Sequence, residues 1–167
     1  MRAQEAAVLR RWASDSGCLF DGSAFDRQWR LQGEMGGSEN DIIYDEKTGR
    51  VWKRNHLAVF CLSWRQFFDR ILLHNCLFPE APLRFEGFLE HEGELCGFLS
   101  QPDIVAGRGA ERHECEPMMQ ARGFDRRRND DYEDAALRVE DLHPGNVLIA
   151  AQGELIVIDP AIFPKPL

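Results

Sequence analysis

Apolar residues recur at helical spacing in two stretches of the chain. Val8, Leu9 and Trp12 lie in the charged segment "MRAQEAAVLRRWASDSG" and predict an amphipathic helix with these three side chains as its buried stripe. A longer pattern predicts a second helix, from Leu57 to Leu73, that ends before Pro79. Its apolar positions are Leu57, Phe60, Cys61, Trp64, Phe68, Ile71 and Leu72.

Strand-like segments separated by turn residues flank the longer helix. Residues 28–54, "QWRLQGEMGGSENDIIYDEKTGRVWKR", predict a strand, a glycine turn, a strand, a tight turn at "DEKTG" and a third strand. Residues 83–104, "LRFEGFLEHEGELCGFLSQPDI", predict two more strands about the turn "EHEGE". The pattern therefore predicts a lobe of five strands and one helix.

The last third of the chain alternates short elements with polar turns. "DIVAGRG" (103–109) is typical of a linker, and "AERHECEPMMQARG" (110–123) predicts a short helix with Gly123 as its C-cap. "ALRVEDL", "NVLIAA" and "ELIVIDP" then predict short β segments. The proline-rich end "PAIFPKPL" (160–167) predicts an extended tail.

This element order predicts an α+β protein in three parts. Residues 1–29 form an N-terminal helical extension, 30–103 the five-stranded lobe, and 104–167 a smaller α+β lobe, with a hinge near 101–108. A cleft between two lobes is where small ligands usually bind.

Composition and charge limit the kinds of partner that the chain is expected to bind. The 167 residues carry a net charge of −8, so the field of the whole molecule repels nucleic acid and anionic membranes. The chain shows neither a bilayer-spanning apolar run nor a signal-peptide core, and its five scattered cysteines favour reduced thiols in the cytoplasm. The basic run Arg126 to Arg128 is interpreted as a solvated loop face, with a phosphate- or partner-binding role as the alternative.

The candidate chemistry lies in "EDLHPGNVLIAAQGELIVIDP", residues 140–160. Asn146 begins and Asp159 ends a predicted hairpin, so the two side chains should lie near each other, with Asp141 at the other end of the preceding loop. Carboxylate and amide oxygens suit Mg²⁺, which typically takes one or two carboxylates plus substrate phosphates. The alternative is a polar turn between core strands, with Asp141 as a cap.

This run resembles the catalytic loop and metal-binding Asp of the protein-kinase-like superfamily, HRDLxxxN followed by DFG. Asp141, Leu142 and Asn146 match the loop, and Asp159 stands at the DFG Asp, whereas Val139-Glu140 and Pro160-Ala161 depart from the pattern. "DLHPGN" is more similar to aminoglycoside- and choline-type phosphotransferases than to eukaryotic protein kinases. Across residues 30–160 the chain is most similar to compact kinase-like domains of bacterial and phage polyvalent proteins.

The resemblance assigns further roles upstream. Lys53 in "GRVWKR" would hold nucleotide phosphates, as the strand lysine of kinases does. Gly36, Gly37 and Ser38 in "GEMGGSEN", with Gly33 before them, would either approach the phosphates or form a tight β-turn. The long helix lacks the Glu that kinases pair with this lysine, so Asp69 would replace it, and adenine would meet the backbone from Gln101 to Asp103.

The resemblance implies a two-lobed protein-kinase-like fold with a severely reduced second lobe, because only residues 160–167 follow Asp159. The expected function is ATP- and Mg²⁺-dependent phosphoryl transfer to a protein Ser, Thr or Tyr hydroxyl. Asp141, Lys53 and Asn146 would be catalytic, and Asn146 and Asp159 would bind the metal. His143 would either point into the cleft or make a hydrogen bond within the loop.

Several alternatives stay open. The altered DFG motif, the missing helix Glu and the reduced lobe favour a nucleotide-binding pseudokinase or scaffold. A small-molecule kinase and an α+β interaction domain without nucleotide are the others. An oligomer or a partner chain could complete the reduced lobe.

Overall fold

A computed structural model describes residues 2–57 and 61–165. Within those ranges the chain forms four helices and twelve strands, which confirms the α+β class. It divides into two compact units, Met1–Ile71 with Leu83–Asp103, and Leu72–Pro82 with Ile104–Leu167.

The first unit is built on a mixed sheet. Its elements are α1 (Arg2–Asp15), β1 (Leu19–Asp21), α2 (Ser23–Leu31), β2 (Asn40–Asp45), β3 (Arg50–Asn55), α3 (Trp64–Leu77, shared with the second unit after Ile71), β4 (Arg84–His91) and β5 (Glu94–Pro102). In the described residues five strands pair in the order β1-β4-β5-β3-β2, with β1 parallel to β4 and the other neighbours antiparallel.

The predicted number of five strands is correct, but one of the segments predicted as a strand is not a strand. Residues 28–31, predicted as a strand, belong to helix α2, and β1 supplies the fifth strand instead. Phe25 and Trp29, four residues apart, bring one face of α2 onto the sheet, where they pack with Ile43 and Leu89. The predicted N-terminal extension is thus part of the first unit.

Helices α1 and α3 contribute to the core cluster that contains Phe88 and Leu99. Gly97 in β5 lets α3 approach closely, because a Cβ there would lie 2.3 Å from the Phe67 ring. The predicted stripe of α1 is wrong at two positions: Val8 is 69% exposed and Trp12 is 51% exposed. Leu9 packs against the core as predicted, together with Ala6 and Ala13.

Helix α3 begins at Trp64 and not at Leu57, and it continues to Leu77. Ser63 caps the N-terminus of the helix at this point, because its hydroxyl accepts the Gln66 N–H at 3.2 Å. Phe60, predicted within the helix, lies outside the described residues.

The second unit contains two small sheets and one helix of its own. Its elements are β6 (Ala106–Gly109), α4 (Arg112–Ala121), β7 (Asp125–Arg128), β8 (Asp131–Glu133), β9 (Leu137–Glu140), β10 (Val147–Ala150), β11 (Leu155–Val157) and β12 (Ala161–Pro164). In the described chain the strand orders are β11-β10-β6 and β12-β9-β8-β7. Apolar side chains of both sheets and of α4 share one core with Phe78.

Three predictions for this unit need correction. The predicted linker 103–109 contains strand β6, and the proline-rich end predicted as an extended tail is strand β12, paired with β9. The basic run lies on β7 and not in a loop. Its three arginines are exposed and pair with Glu116, Glu133 and Asp131, as a solvated face would.

Candidate active site

The loop between β9 and β10 places the predicted catalytic acid in an unusual backbone conformation. Asp141 has a φ of 68°, in the left-handed region that non-glycine residues seldom occupy. The side-chain amide of Asn146 donates to the carbonyl oxygen of Asp141 at 2.9 Å and to its Oδ2 at 3.0 Å. Asn146 therefore holds the loop through hydrogen bonds to both the backbone and the carboxylate of Asp141.

Two antiparallel pairings bring Asp159 to the same place. In the hairpin, Val147 pairs with Val157, and the Ile158 N–H donates to the Asn146 carbonyl at 2.9 Å, so Asp159 follows the residue bonded to Asn146. In the second sheet, Ala161 pairs with Glu140. Because the two strands are antiparallel, Pro160 lies opposite Asp141. The first pairing places the backbones of Asn146 and Asp159 close together, and the second places the Asp141 backbone near Pro160, the residue after Asp159. The proximity of the Asn146 and Asp159 side chains stays a prediction.

His143 makes its hydrogen bond within the loop. Its Nδ1 accepts the Gly145 N–H at 2.9 Å, and its Nε2 lies 3.6 Å from Asp141 Oδ1. A neutral imidazole that accepts at Nδ1 carries its proton on Nε2, which faces the carboxylate. Of the two predicted roles for His143, the hydrogen bond within the loop is the one found.

A close backbone approach fixes the loop from β6. A Cβ at Gly109 would lie 2.0 Å from the Pro144 carbonyl oxygen, so only glycine fits there. On the other side, the Leu142 side chain is buried in the core of the unit and its N–H donates to the Asp130 carbonyl at 3.0 Å.

The donor set fits Mg²⁺. The Asn146 amide nitrogen donates to two oxygens of Asp141, which leaves Asn146 Oδ1 as the atom that could bind a metal. Over residues 2–57 and 61–165 no group of three or more His, Cys, Asp or Glu side chains could hold a metal ion unaided. One amide oxygen and the Asp159 carboxylate are what a magnesium site uses when phosphates complete the shell.

Lys53 lies on β3, as predicted, and is 3% exposed. It pairs with Ile42 on one side and Leu99 on the other, and paired residues share a face of the sheet. Leu99 belongs to the core cluster of α3, so the lysine is on the α3 face of the sheet. A buried ammonium is retained only where it has polar partners, which distinguishes Lys53 from a solvated surface lysine.

The glycine segment (33–39) lies in the loop between α2 and β2. It folds into a tight turn in which the Gly37 N–H donates to the Asn40 carbonyl at 2.9 Å and Gly36 bridges to Asp41. Gly36, with a φ of 143°, could not carry a Cβ, because it would lie 2.3 Å from the Asn40 oxygen. Gly36, Gly37 and Ser38 are all exposed. The backbone forms the tight turn that was one of the two predicted alternatives. Contact of the exposed residues with phosphates stays a prediction.

Asp69, predicted to replace the helix Glu as the partner of Lys53, makes a different contact. Asp69 is 44% exposed and contacts Arg65 one turn earlier on α3, at 3.7 Å. Its contact in the described structure is thus a surface i,i+4 pair and not an ion pair with Lys53. The prediction fails because Asp69 lies on the outer side of the helix, as its neighbours Phe67 and Ile71 pack inward.

The predicted adenine-binding stretch is the end of β5. Gln101 is buried and pairs with Val51, while Asp103 is exposed and its N–H donates to the Gly49 carbonyl at 3.0 Å. That N–H is already bonded, which leaves fewer backbone donors here than the sequence suggested.

Two charged clusters of the first unit were missed by the sequence reasoning. Arg70 of α3 binds the Glu39 carboxylate with both terminal nitrogens. Burial alone would lower the pKa of Arg70, but hydrogen bonds and charge from Glu39 outweigh it and raise that pKa. On the opposite face of the sheet, the fully buried Arg54 pairs with Asp26 and Asp41. Neither cluster has a local sequence signal, since its members come from separate elements.

The fold is α+β, and in its second unit Asn146 donates to Asp141 in the loop before the hairpin that ends at Asp159. Residues 2–164 match the sequence model of a family described as "Serine/Threonine/Tyrosine Kinase found in polyvalent proteins". The chain belongs to this family, which confirms the resemblance and makes it a kinase at the level of class. Searches of curated proteins and of solved structures each returned no match. Each helix in the described ranges is too short or too polar to cross a membrane.

Proposed function

We propose that this chain is an ATP- and Mg²⁺-dependent phosphotransferase that acts on a protein Ser, Thr or Tyr hydroxyl. The observations that support the proposal are the two hydrogen bonds from Asn146 to Asp141 and the two strand pairings that bring the backbone of Asp159 close to this loop. Kinases use an Asp, an Asn and a second Asp in this order for the base and the metal.

Asp141 would orient the acceptor hydroxyl and accept its proton. Its Oδ2 is occupied by the Asn146 amide, while Oδ1 lies on the His143 side of the carboxylate. An acid whose rotamer and backbone are both held needs little reorganisation when the hydroxyl arrives. The left-handed backbone at Asp141 supports this role, since strain of that kind concentrates at functional sites.

Asn146 Oδ1 and the Asp159 carboxylate would hold Mg²⁺ together with the phosphates. Bound Mg²⁺ would neutralise the charge that develops on the β- and γ-phosphate oxygens. Lys53 would hold nucleotide phosphates, and its burial on a strand of the central sheet of the first unit would limit the positions of the amine.

Family membership supports the choice of acceptor. The family description names Ser, Thr and Tyr kinases, so a protein hydroxyl is favoured over a small molecule. The aminoglycoside- and choline-type wording of "DLHPGN" keeps a small-molecule alcohol as the alternative acceptor.

A second candidate is nucleotide binding without turnover. Active protein kinases require an ion pair between the strand lysine and a helix Glu. Helix α3 contains no Glu, and its Asp69 contacts Arg65 at the surface. This observation favours a pseudokinase or scaffold and makes catalysis the property to test first.

The test is transfer of labelled γ-phosphate to the chain itself and to a generic protein acceptor, with Mg²⁺ and with EDTA. The wild type should label the acceptor only with Mg²⁺, and Lys53→Met should abolish labelling. Lys47→Met is the matched control, because Lys47 is exposed in the β2–β3 turn. Binding of ATP without any transfer would establish the second candidate, and absence of binding would contradict both.

A further inference from the structure

A buried ion pair joins helix α3 to the glycine segment. Arg70 Nη1 lies 2.5 Å from Glu39 Oε1, and Nη2 lies 3.2 Å from Oε2, so the guanidinium grips both carboxylate oxygens. The side chains are 14% and 9% exposed. Two parallel hydrogen bonds fix the relative orientation of the two groups as well as their distance.

Burial distinguishes this pair from the other ion pair of α3. Arg65 and Asp69 are 87% and 44% exposed, and a solvated pair of this kind contributes little. Loss of one partner of a buried pair leaves a charge without compensation in a poorly solvated place, and the surrounding backbone must then move. The Glu39 region should therefore depend on Arg70.

Glu39 holds the end of the glycine segment that enters β2. Its carbonyl accepts the His56 N–H at 3.0 Å, and the next residue, Asn40, accepts both the Gly37 N–H at 2.9 Å and the Asn55 side-chain amide at 2.8 Å. Glu39 and Asn40 thus connect this end of the glycine segment to β3 and to Gly37 through the hydrogen bonds that they accept.

In kinases with the usual arrangement, the helix after the lysine strand contributes an acid that grips the lysine. Here the same helix contributes a cation, and that cation grips the acid at the base of the glycine segment. Helix α3 is thus joined to the glycine segment by an ion pair in which the helix supplies the cation, whereas in those kinases the helix supplies the acid.

We propose that Arg70 and Glu39 are positioning residues that hold the glycine segment in the conformation that receives the nucleotide phosphates. The inference rests on the proposed function, since it presumes that the chain binds ATP. It assigns α3 a role in phosphate affinity that does not require a helix acid beside Lys53.

The experiment is calorimetric titration of a non-hydrolysable ATP analogue with Mg²⁺, and of adenosine, into the wild type, Glu39→Gln, Arg70→Gln and the double variant. Each single variant should bind the ATP analogue about tenfold more weakly, as misplaced binding groups do. The double variant should recover part of the loss, because no uncompensated charge remains. Affinity for adenosine should stay unchanged, since adenosine has no phosphate.

Arg65→Gln, which breaks the exposed pair of the same helix, is the control and should stay within about twofold of the wild type. If a single variant does not fold by circular dichroism, Arg70→Lys replaces it, because lysine keeps the charge and loses the two-pronged grip.

Three outcomes overturn the inference. Wild-type affinity for the analogue in Glu39→Gln would show that the pair does not position the segment, and the proposed function would stand. Equal losses for the analogue and adenosine would show a general structural role. No binding of the analogue to the wild type would overturn the proposed function together with this inference.

Discussion

The Asn146 amide donates to both the carbonyl oxygen and the Oδ2 of Asp141, at 2.9 and 3.0 Å. One side chain therefore holds the candidate base and, through its remaining oxygen, is available to a metal. Under the proposed function, the candidate base and the metal ligand would be held by the same two hydrogen bonds, and transfer between an acceptor hydroxyl and a metal-bound phosphate depends on such fixed positions.

Asp141→Asn should reduce phosphoryl transfer by about 100-fold or more, the usual loss when a general base is removed. The protein should still fold, because asparagine tolerates the left-handed backbone and can accept the Asn146 hydrogen bond. Labelled γ-phosphate transfer and titration of the ATP analogue measure the two properties. Full turnover in this variant would show that Asp141 is not the base.

Asn146→Asp should separate the hydrogen-bonding role of Asn146 from its metal-binding role. An aspartate keeps an oxygen ligand but cannot donate to Asp141, and it adds a like charge beside that carboxylate. Transfer should fall by about tenfold or more while binding of the Mg²⁺–nucleotide is retained. Asn146→Ala, which removes both roles, should lose binding as well, and equal binding by both variants would be inconsistent with metal ligation.

Gly109→Ala should destabilise the protein by about 1–3 kcal/mol, as overpacking does, because the added methyl would overlap the Pro144 carbonyl. Gly107 is the matched control: it lies on the same strand, and a Cβ there has no neighbour within 4 Å. Urea denaturation followed by circular dichroism measures both. If the two variants have the same stability, β6 does not fix the catalytic loop as described.

Stability should depend on pH through Glu114. Hydrogen bonds from the Arg108 guanidinium and the Glu111 N–H lower the pKa of Glu114 from 4.5 to about 2. Because the folded pKa lies below the unfolded one, the carboxylate stabilises the fold above pH 4.5, and this contribution is lost as the pH falls towards about 2. The difference in melting temperature between wild type and Glu114→Gln should shrink over this range.

Glu154→Gln is the comparison for that titration, since Glu154 is exposed in the β10–β11 turn. Its melting temperature should follow the wild type at every pH. A constant difference in melting temperature between wild type and Glu114→Gln from pH 6 to 2 would mean that the Glu114 carboxylate does not titrate as described.

The hairpin of residues 146–159 was predictable because its signals are local. Two apolar segments flank a Gln-Gly turn, and a hairpin of that kind returns the chain to its starting level. The β9–β12 pairing was not predictable. Its register depends on a contact between segments about twenty residues apart, and the flanking prolines suggested a different extended structure.

Two helices show which signals were overlooked. Ser63 followed by Gln66 is a capping pattern that marks the start of α3, and it outweighs the apolar positions before it. In α2, Phe25 and Trp29 have helical spacing, but the tryptophan and the following glycine turn suggested a strand. Arg70 and Glu39 could not be paired from sequence, because nothing in their spacing indicates contact across the fold.

A crystal structure of the protein with a non-hydrolysable ATP analogue and Mg²⁺ tests the central claim most directly. The account predicts a metal about 2.0–2.1 Å from both Asn146 Oδ1 and an Asp159 carboxylate oxygen. It also predicts the Lys53 amine about 3 Å from an α- or β-phosphate oxygen. A nucleotide bound elsewhere, or a metal that contacts neither Asn146 nor Asp159, would contradict it.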